Sequence, residues 1–290
     1  MPTEYIRPRD LDEALGFLRN RRDVTILAGG TDLMVDRRSG KIHPRCLLDV
    51  SRLPELRQIR HRGDVLEIGA AVTVSELLAS RTVARLAPAL AGCARRFGSR
   101  QIRNVATIGG NVAHCAPCGD TLAPLLIHEA EAVVAASDGT RTVGIEEMAG
   151  GPYQCILAPG ELILRFRLKP CPADVRLAEF QKIGRRRELA ISRISMASMV
   201  RLAADGTVAF MRFAVGACTP TPHRFREVED FLLGRRLDEG LLWQAGRLAA
   251  DTIIAITGRR PSAAYKQPAV QGLFLRMMSP LLRPGRENHA

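Results

Sequence analysis

Apolar and polar positions along this chain switch between a helical and a strand period, and the switches mark its elements. Leu11, Ala14, Leu15 and Leu18 recur on one helical face after Asp10, so a helix opens there. Residues 24–27 and 46–50 are short apolar runs bounded by polar or turn residues, which predicts buried strands. Residues 56–59 and 65–68 flank Arg62-Gly63-Asp64, a hairpin signal. Residues 74–78 and 83–97 read as helices, and 121–128 as an apolar helix. Residues 131–136 and 140–145 pair across Ser137-Asp138-Gly139, and 162–168 alternate as a strand.

The pattern breaks where Pro170 and Pro172 bracket Cys171, since proline stops regular pairing and favours a linker. Beyond it, residues 178–183, 195–202 and 208–215 read as a three-stranded antiparallel unit with a tight turn at Asp205-Gly206. Helical stretches follow at 222–233, 238–256 and 263–282, and the tail at 283–290 is read as frayed. The sum is an α+β pattern: an N-terminal region divisible near residue 54, then a smaller sheet with helices.

Two stretches stand apart from this framework. Ile26-Leu27-Ala28-Gly29-Gly30-Thr31-Asp32-Leu33 is an apolar strand running into a Gly-Gly turn. Arg103-Asn104-Val105-Ala106-Thr107-Ile108-Gly109-Gly110-Asn111 repeats that logic further along. Glycine lacks Cβ, so a ligand approaches the main chain closely and positive φ costs little. Two such turns close in space would offer two sets of backbone N–H donors, which suits a diphosphate. A lone Gly-Gly pair is more often only a turn. Neither stretch is a Walker loop or a G-x-G-x-x-G fingerprint, which disfavours a P-loop or a standard Rossmann fold. Thr31 or Asp32 is read as the cap of a new helical turn; Asp32, whose carboxylate repels phosphate, is given a capping or hydroxyl-binding role.

Composition narrows the classes. The chain has 290 residues, enough for two domains or one subdivided one. Its formal charge of +12 raises a nucleic-acid surface, but three tyrosines and one tryptophan leave few stacking platforms. The arginines are also scattered in pairs, as at Arg95 and Arg96 or Arg235 and Arg236, so a solvated basic surface is the better reading. No apolar run reaches the ~18 residues of a membrane span, and the first ten residues lack an apolar signal core; a cytoplasmic location is the expectation. Seven cysteines, an odd set, do not look like a disulfide framework. Cys115-Ala116-Pro117-Cys118 could be a redox pair or half a metal site, but lacks a full ligand set; structural thiols are favoured. The histidines show no ligand spacing, and no G-x-S-x-G elbow is present.

Taken together, the two glycine stretches resemble the flavoprotein (medium) subunit of the molybdenum hydroxylases. Further motifs follow in the family's order: Gly98-Ser99-Arg100-Gln101-Ile102-Arg103-Asn104, Gly119-Asp120, Glu161-Leu162-Ile163, Phe180-Gln181-Lys182 and Ser262-Ala263-Ala264-Tyr265-Lys266. They span residues 26 to 266. The resemblance implies two α/β subdomains clasping FAD in the vanillyl-alcohol-oxidase-like manner, at 1–54 and 55–170, and a C-terminal domain at 175–290 with a three-stranded sheet and a helical bundle. It implies cofactor contacts at Ile26 to Leu33, Gly98, Thr107, Ile108, Gly109, Gly110, Asn111, Asp120, Ile163 and Lys182. Asp120 would hold a sugar hydroxyl, with a helix N-cap as its alternative role. Lys182 would meet the flavin, where positive charge favours the reduced anionic ring.

The resemblance further implies no catalytic or metal-binding residue of the chain's own. Electrons would come from a [2Fe-2S] small subunit, pass through FAD, and leave to NAD or another acceptor. A molybdopterin-binding large subunit would oxidise the substrate. Two alternatives stand beside this: a self-sufficient FAD-dependent oxidoreductase of the same wider fold, and a non-redox module for anions or nucleic acid. The Cys115 to Cys118 segment departs from the family's small or polar residues.

Overall fold

The computed structural model describes residues 3–186, 189–259 and 261–282; the tail read as frayed lies outside them. The chain opens with β1 (Glu4–Ile6), α1 (Leu11–Asn20), β2 (Val24–Leu27), α2 (Leu33–Arg38) and β3 (Cys46–Asp49). These strands form a parallel sheet in the order β1-β3-β2. Asp10 caps α1 by accepting from the Glu13 N–H, and the helix buries Ala14 and Leu18.

Next come β4 (Ile59–Arg62), β5 (Val65–Gly69), α3 (Val74–Ala79), α4 (Arg81–Leu86), α5 (Pro88–Arg96), α6 (Arg100–Val105), α7 (Ile108–Ala113) and α8 (Leu122–Ile127). They are followed by β6 (Glu131–Ala136), β7 (Gly139–Gly144), β8 (Ala149–Gly151), β9 (Gln154–Cys155) and β10 (Leu162–Leu168). The second sheet is antiparallel, in the order β4-β5-β10-β6-β7, and β8 and β9 form a small hairpin. Leu66, Ile68, Leu164, Phe166, Ala132 and Val134 are buried in the core. Arg165 and Arg167 pair with Glu67 on the other face.

The C-terminal part holds β11 (Leu177–Gly184), β12 (Ser192–Leu202), β13 (Val208–Gly216), β14 (His223–Arg224), α9 (Arg226–Leu232), α10 (Glu239–Thr257) and α11 (Ala263–Met278). Its sheet is antiparallel in the order β11-β12-β13-β14 and is buried on both faces. Alternation along the strands decides which residue goes where. Phe180, Ala197, Met199 and Ala214 join the N-terminal core beneath α5 and α8. Met196, Val200, Met211, Phe213 and Val215 pack instead against α9, α10 and α11.

The α+β class and the C-terminal sheet with helices agree with the sequence reading, but several elements differ. The single helix expected at 83–97 is two, because Pro88 has no N–H to donate and Ala87 leaves helical geometry with φ −140° and ψ 60°. Residues 54–56 form a short 3-10 turn, and the strand expected at 56–59 begins only at Ile59. The C-terminal sheet gains a fourth strand, since His223–Arg224 pair with β13 where a helix was expected from residue 222. β1, α6, α7 and the β8–β9 hairpin were not read from the sequence.

Candidate functional site: a cleft between two glycine turns

The two glycine stretches meet. A Cβ on Gly29 would lie 2.0 Å from the Val105 carbonyl oxygen, so the first turn packs bare backbone against the second. A Cβ on Gly109 would lie 2.6 Å from the Ala70 carbonyl oxygen. Both positions need glycine because the chain's own backbone occupies the space. Gly30 sits at φ +68°, and Gly110 has only the Thr107 hydroxyl nearby, 3.0 Å from where its Cβ would be.

Beside this junction lies a cleft of about 350 Å³, within the size range of small-molecule sites. Ile26, Ala28, Gly29, Gly30, Thr31, Asp32 and Leu33 line it from the first stretch; Thr107, Gly109, Gly110 and Asn111 line it from the second; Ile163 closes it from β10. Five expected residues do not line it. Leu27 and Ile108 sit behind the turns: the Leu27 carbonyl accepts from Val50 N–H, and Ile108 is fully buried. Gly98 shapes a turn at φ +38°, and its carbonyl accepts from Arg103. Asp120 and Lys182 lie outside the lining and bond to each other.

The expectation of two donor sets is corrected by the hydrogen bonding. In the second stretch, N–H groups are already engaged: Ile108 donates to Val72 O, Gly109 to Ala70 O, and Gly110 and Asn111 to Thr107. In the first, the N–H groups of Gly29, Gly30 and Thr31 donate to no acceptor among the described residues. Backbone donors for an anion therefore come from the first turn. The second contributes side chains. Asn111 Oδ1 accepts from the Thr121 N–H at 3.2 Å and the Thr121 hydroxyl at 2.6 Å, which leaves its amide NH₂ as a donor.

Capping is corrected too. Asp32 occupies the N-cap position of α2, but its side chain makes no capping bond. It lies 3.9 Å from His114 Nε2. His114 in turn meets Tyr153 edge-on, with ring centroids 5.3 Å apart. Nor does Asp120 cap α8, whose N-cap is Thr121. Its carboxylate accepts from Lys182 Nζ at 2.6 Å and from Ser192 Oγ at 2.5 Å. Both partners of the ion pair keep only about a tenth of their side-chain surface exposed (10% and 9%). The two motifs were visible separately; that they pair was not, because 62 positions separate them.

Sequence reading also missed the apolar wall. Val50, Leu56, Phe97, Leu157 and Leu162 line the cleft but look like any core residues in the chain. Among the described residues no cluster of histidine, cysteine or carboxylate side chains is placed to hold a metal ion. No helix there is long and apolar enough to cross a membrane.

Residues 1–170 match the FAD binding domain in molybdopterin dehydrogenase, and residues 179–281 match the CO dehydrogenase flavoprotein C-terminal domain. The xanthine dehydrogenase FAD-binding subunit of Escherichia coli O157:H7 is 34% identical over 277 residues, 95% of this chain and 94% of that protein. The nicotinate dehydrogenase FAD-subunit of Eubacterium barkeri is 29% identical over 284 residues, 96% of each. Among solved structures, carbon monoxide dehydrogenase from Hydrogenophaga pseudoflava superposes with a TM-score of 0.89 at 29% identity, covering 97% of this chain and 98% of that one.

Fold and cleft thus define the class, a flavoprotein whose cofactor is FAD. The chain belongs to the family of FAD-binding medium subunits of the molybdenum hydroxylases, oxidoreductases of several subunits.

Proposed function

We propose that this chain relays electrons within such a complex, receiving them from a [2Fe-2S] subunit and passing them to NAD or another acceptor. A separate molybdopterin-binding large subunit would oxidise the substrate. The observation that carries this reading is the cleft between the glycine turns, with its unengaged first-turn amides. FAD bound there supplies a ring that takes up electrons and hands them on.

The chain's own residues supply grip and surroundings. Gly29, Gly30 and Thr31 present N–H groups to the diphosphate, and Asn111 adds a side-chain donor. Ile26, Val50, Leu56 and Ile163 form walls that keep water away. Asp120 and Lys182, a bonded pair outside the cleft lining, would meet the cofactor only where it extends beyond the cleft toward the C-terminal sheet. Lys182 then favours the reduced anionic ring only as far as Asp120 leaves its charge unneutralised.

The test is flavin occupancy. The purified wild-type chain is expected to carry stoichiometric FAD, whereas Asn111→Asp, which puts a carboxylate where a donor stood, is expected to weaken FAD binding roughly tenfold or more, a loss of about 1.4 kcal/mol. Far-ultraviolet circular dichroism should stay unchanged. Undiminished flavin in Asn111→Asp would overturn the loop assignment. Copurification of a large and a small subunit supports the relay; substrate turnover by the isolated chain would replace it with a self-sufficient oxidoreductase.

A further inference from the structure

Cys115 and Cys118 are close in sequence, yet the fold gives them different neighbours. Cys118 lies near Asp120, and burial together with that carboxylate raises its thiol pKa. Cys115 turns instead toward the β8–β9 hairpin. Its Sγ lies 3.2 Å from Val112 O and 3.5 Å from Met148 O. Met148 O also accepts from the Ile156 N–H at 3.1 Å, and the Tyr153 N–H donates to Cys115 O at 2.9 Å. Cys155 sits between those two backbone links, paired with Ala149. The Cys115 thiol donates to Val112 O, and its sulfur lies near enough to interact with that of Cys155. Cys115 is buried and Cys155 partly open to solvent. Cys115 also holds φ +49°, a strained conformation for a residue with a side chain.

We propose that Cys115 and Cys155 form a hydroperoxide-reactive thiol pair, with Cys155 the attacking sulfur and Cys115 the resolving one. The Cys155 thiolate attacks the outer peroxide oxygen, and the O–O bond breaks. The leaving alkoxide or hydroxide takes a proton, so Cys155 becomes a sulfenic acid and the peroxide an alcohol or water. Cys115 then attacks the Cys155 sulfur, the S–O bond breaks, and hydroxide leaves with the Cys115 proton as water. Two thiols lose two electrons, and the peroxide gains them.

The division of labour follows from the surroundings. The neighbouring Cys115 thiol outweighs burial and, with the backbone N–H groups of Leu157 and Ile156, holds the Cys155 thiol below its ordinary value. The same contact and burial drive the Cys115 thiol well up. Cys155 is therefore the more readily ionised sulfur of the two, and it is also the more accessible one. The disulfide would fasten the hairpin to the end of α7, close to His114 and Leu157 in the cleft lining.

The test uses the full chain. One equivalent of hydrogen peroxide, followed by alkylation and peptide mass mapping, is expected to give a Cys115–Cys155 linked peptide lacking two hydrogens and restored by dithiothreitol. Without peroxide, iodoacetamide is expected to label Cys155 ahead of the other cysteines, with a rate that rises at lower pH than theirs. Cys118→Ser should leave both results intact. In Cys115→Ser a second equivalent of peroxide should carry Cys155 on to the sulfinic acid, because nothing traps the sulfenic acid. A Cys115–Cys118 bond, or Cys155 labelling no faster than its fellows, would overturn the proposal.

Discussion

Gly29, Gly30, Gly109 and Gly110 look alike in the sequence, but space around each α-carbon separates them. At Gly29 and Gly109 an added methyl meets main chain at 2.0 and 2.6 Å; at Gly110 it meets a single hydroxyl at 3.0 Å. We therefore expect Gly109→Ala to lower the thermal midpoint sharply and to shed FAD as a consequence. Gly110→Ala should fold nearly as the parent does, and thermal denaturation followed by circular dichroism separates the two. The pairing of Lys182 with Asp120 yields a second expectation. Lys182→Met strands a buried carboxylate and should cost about 3–5 kcal/mol, as for broken buried ion pairs generally. Adding Asp120→Asn should recover much of that loss in a urea-unfolding cycle, and a simple sum of the two single losses would show the residues to be independent.

Elements were legible where a local rule decides them and obscure where a distant contact does. Asp10 and Asp238 cap α1 and α10 through their own side chains, and the hydrophobic period shows the helix each opens. α6 and α7 bury too few long apolar side chains to reveal a period; they hold because Ala106, Ile108 and Gly109 bond to Val74, Val72 and Ala70. The two stretches were recognisable as cofactor loops, but not which of them keeps its amides unspent. The capping box of α3 ties into the same loop. Thr73 accepts from the Glu76 N–H, Glu76 accepts from the Thr73 N–H, and Thr73 bridges to Thr107. Thr73→Ala should lose about 1 kcal/mol, as for other N-caps. Because Thr107 is its bridge partner, FAD should also dissociate faster. A stability loss with an unaltered release rate would confine Thr73 to its own helix.

Across the whole molecule, a partly buried charge network joins the N-terminal and C-terminal parts. Glu129 is surrounded by Lys169, Arg212 and Arg224, and Arg224 also grips Glu229. Burial pushes the Glu129 carboxyl up, but its bonds from Lys169 and Arg224 and the charge of Arg212 prevail and hold it at about 2. His128 beside it is fully buried; burial, with help from Arg212, lowers its pKa to about 4 although Lys169 O accepts from Nδ1. The unfolded chain takes up that proton near 6.5. Stability should thus be level above neutrality, fall as pH drops from about 6.5 to 4 by roughly 3 kcal/mol from His128, and fall again from about 4.5 to 2, where Glu129 takes up a proton in the unfolded chain but not yet in the folded one. Urea midpoints at stepped pH check this, and His128→Leu should flatten the upper part of the decline.

The sheet of β11 to β14 serves two masters, one apolar face turned to each half of the chain. Cutting at residue 170 along the apparent seam would leave each fragment with a raw, water-averse wound. Expressed apart, the pieces should clump; brought together in one cell, they should heal into a yellow, soluble pair.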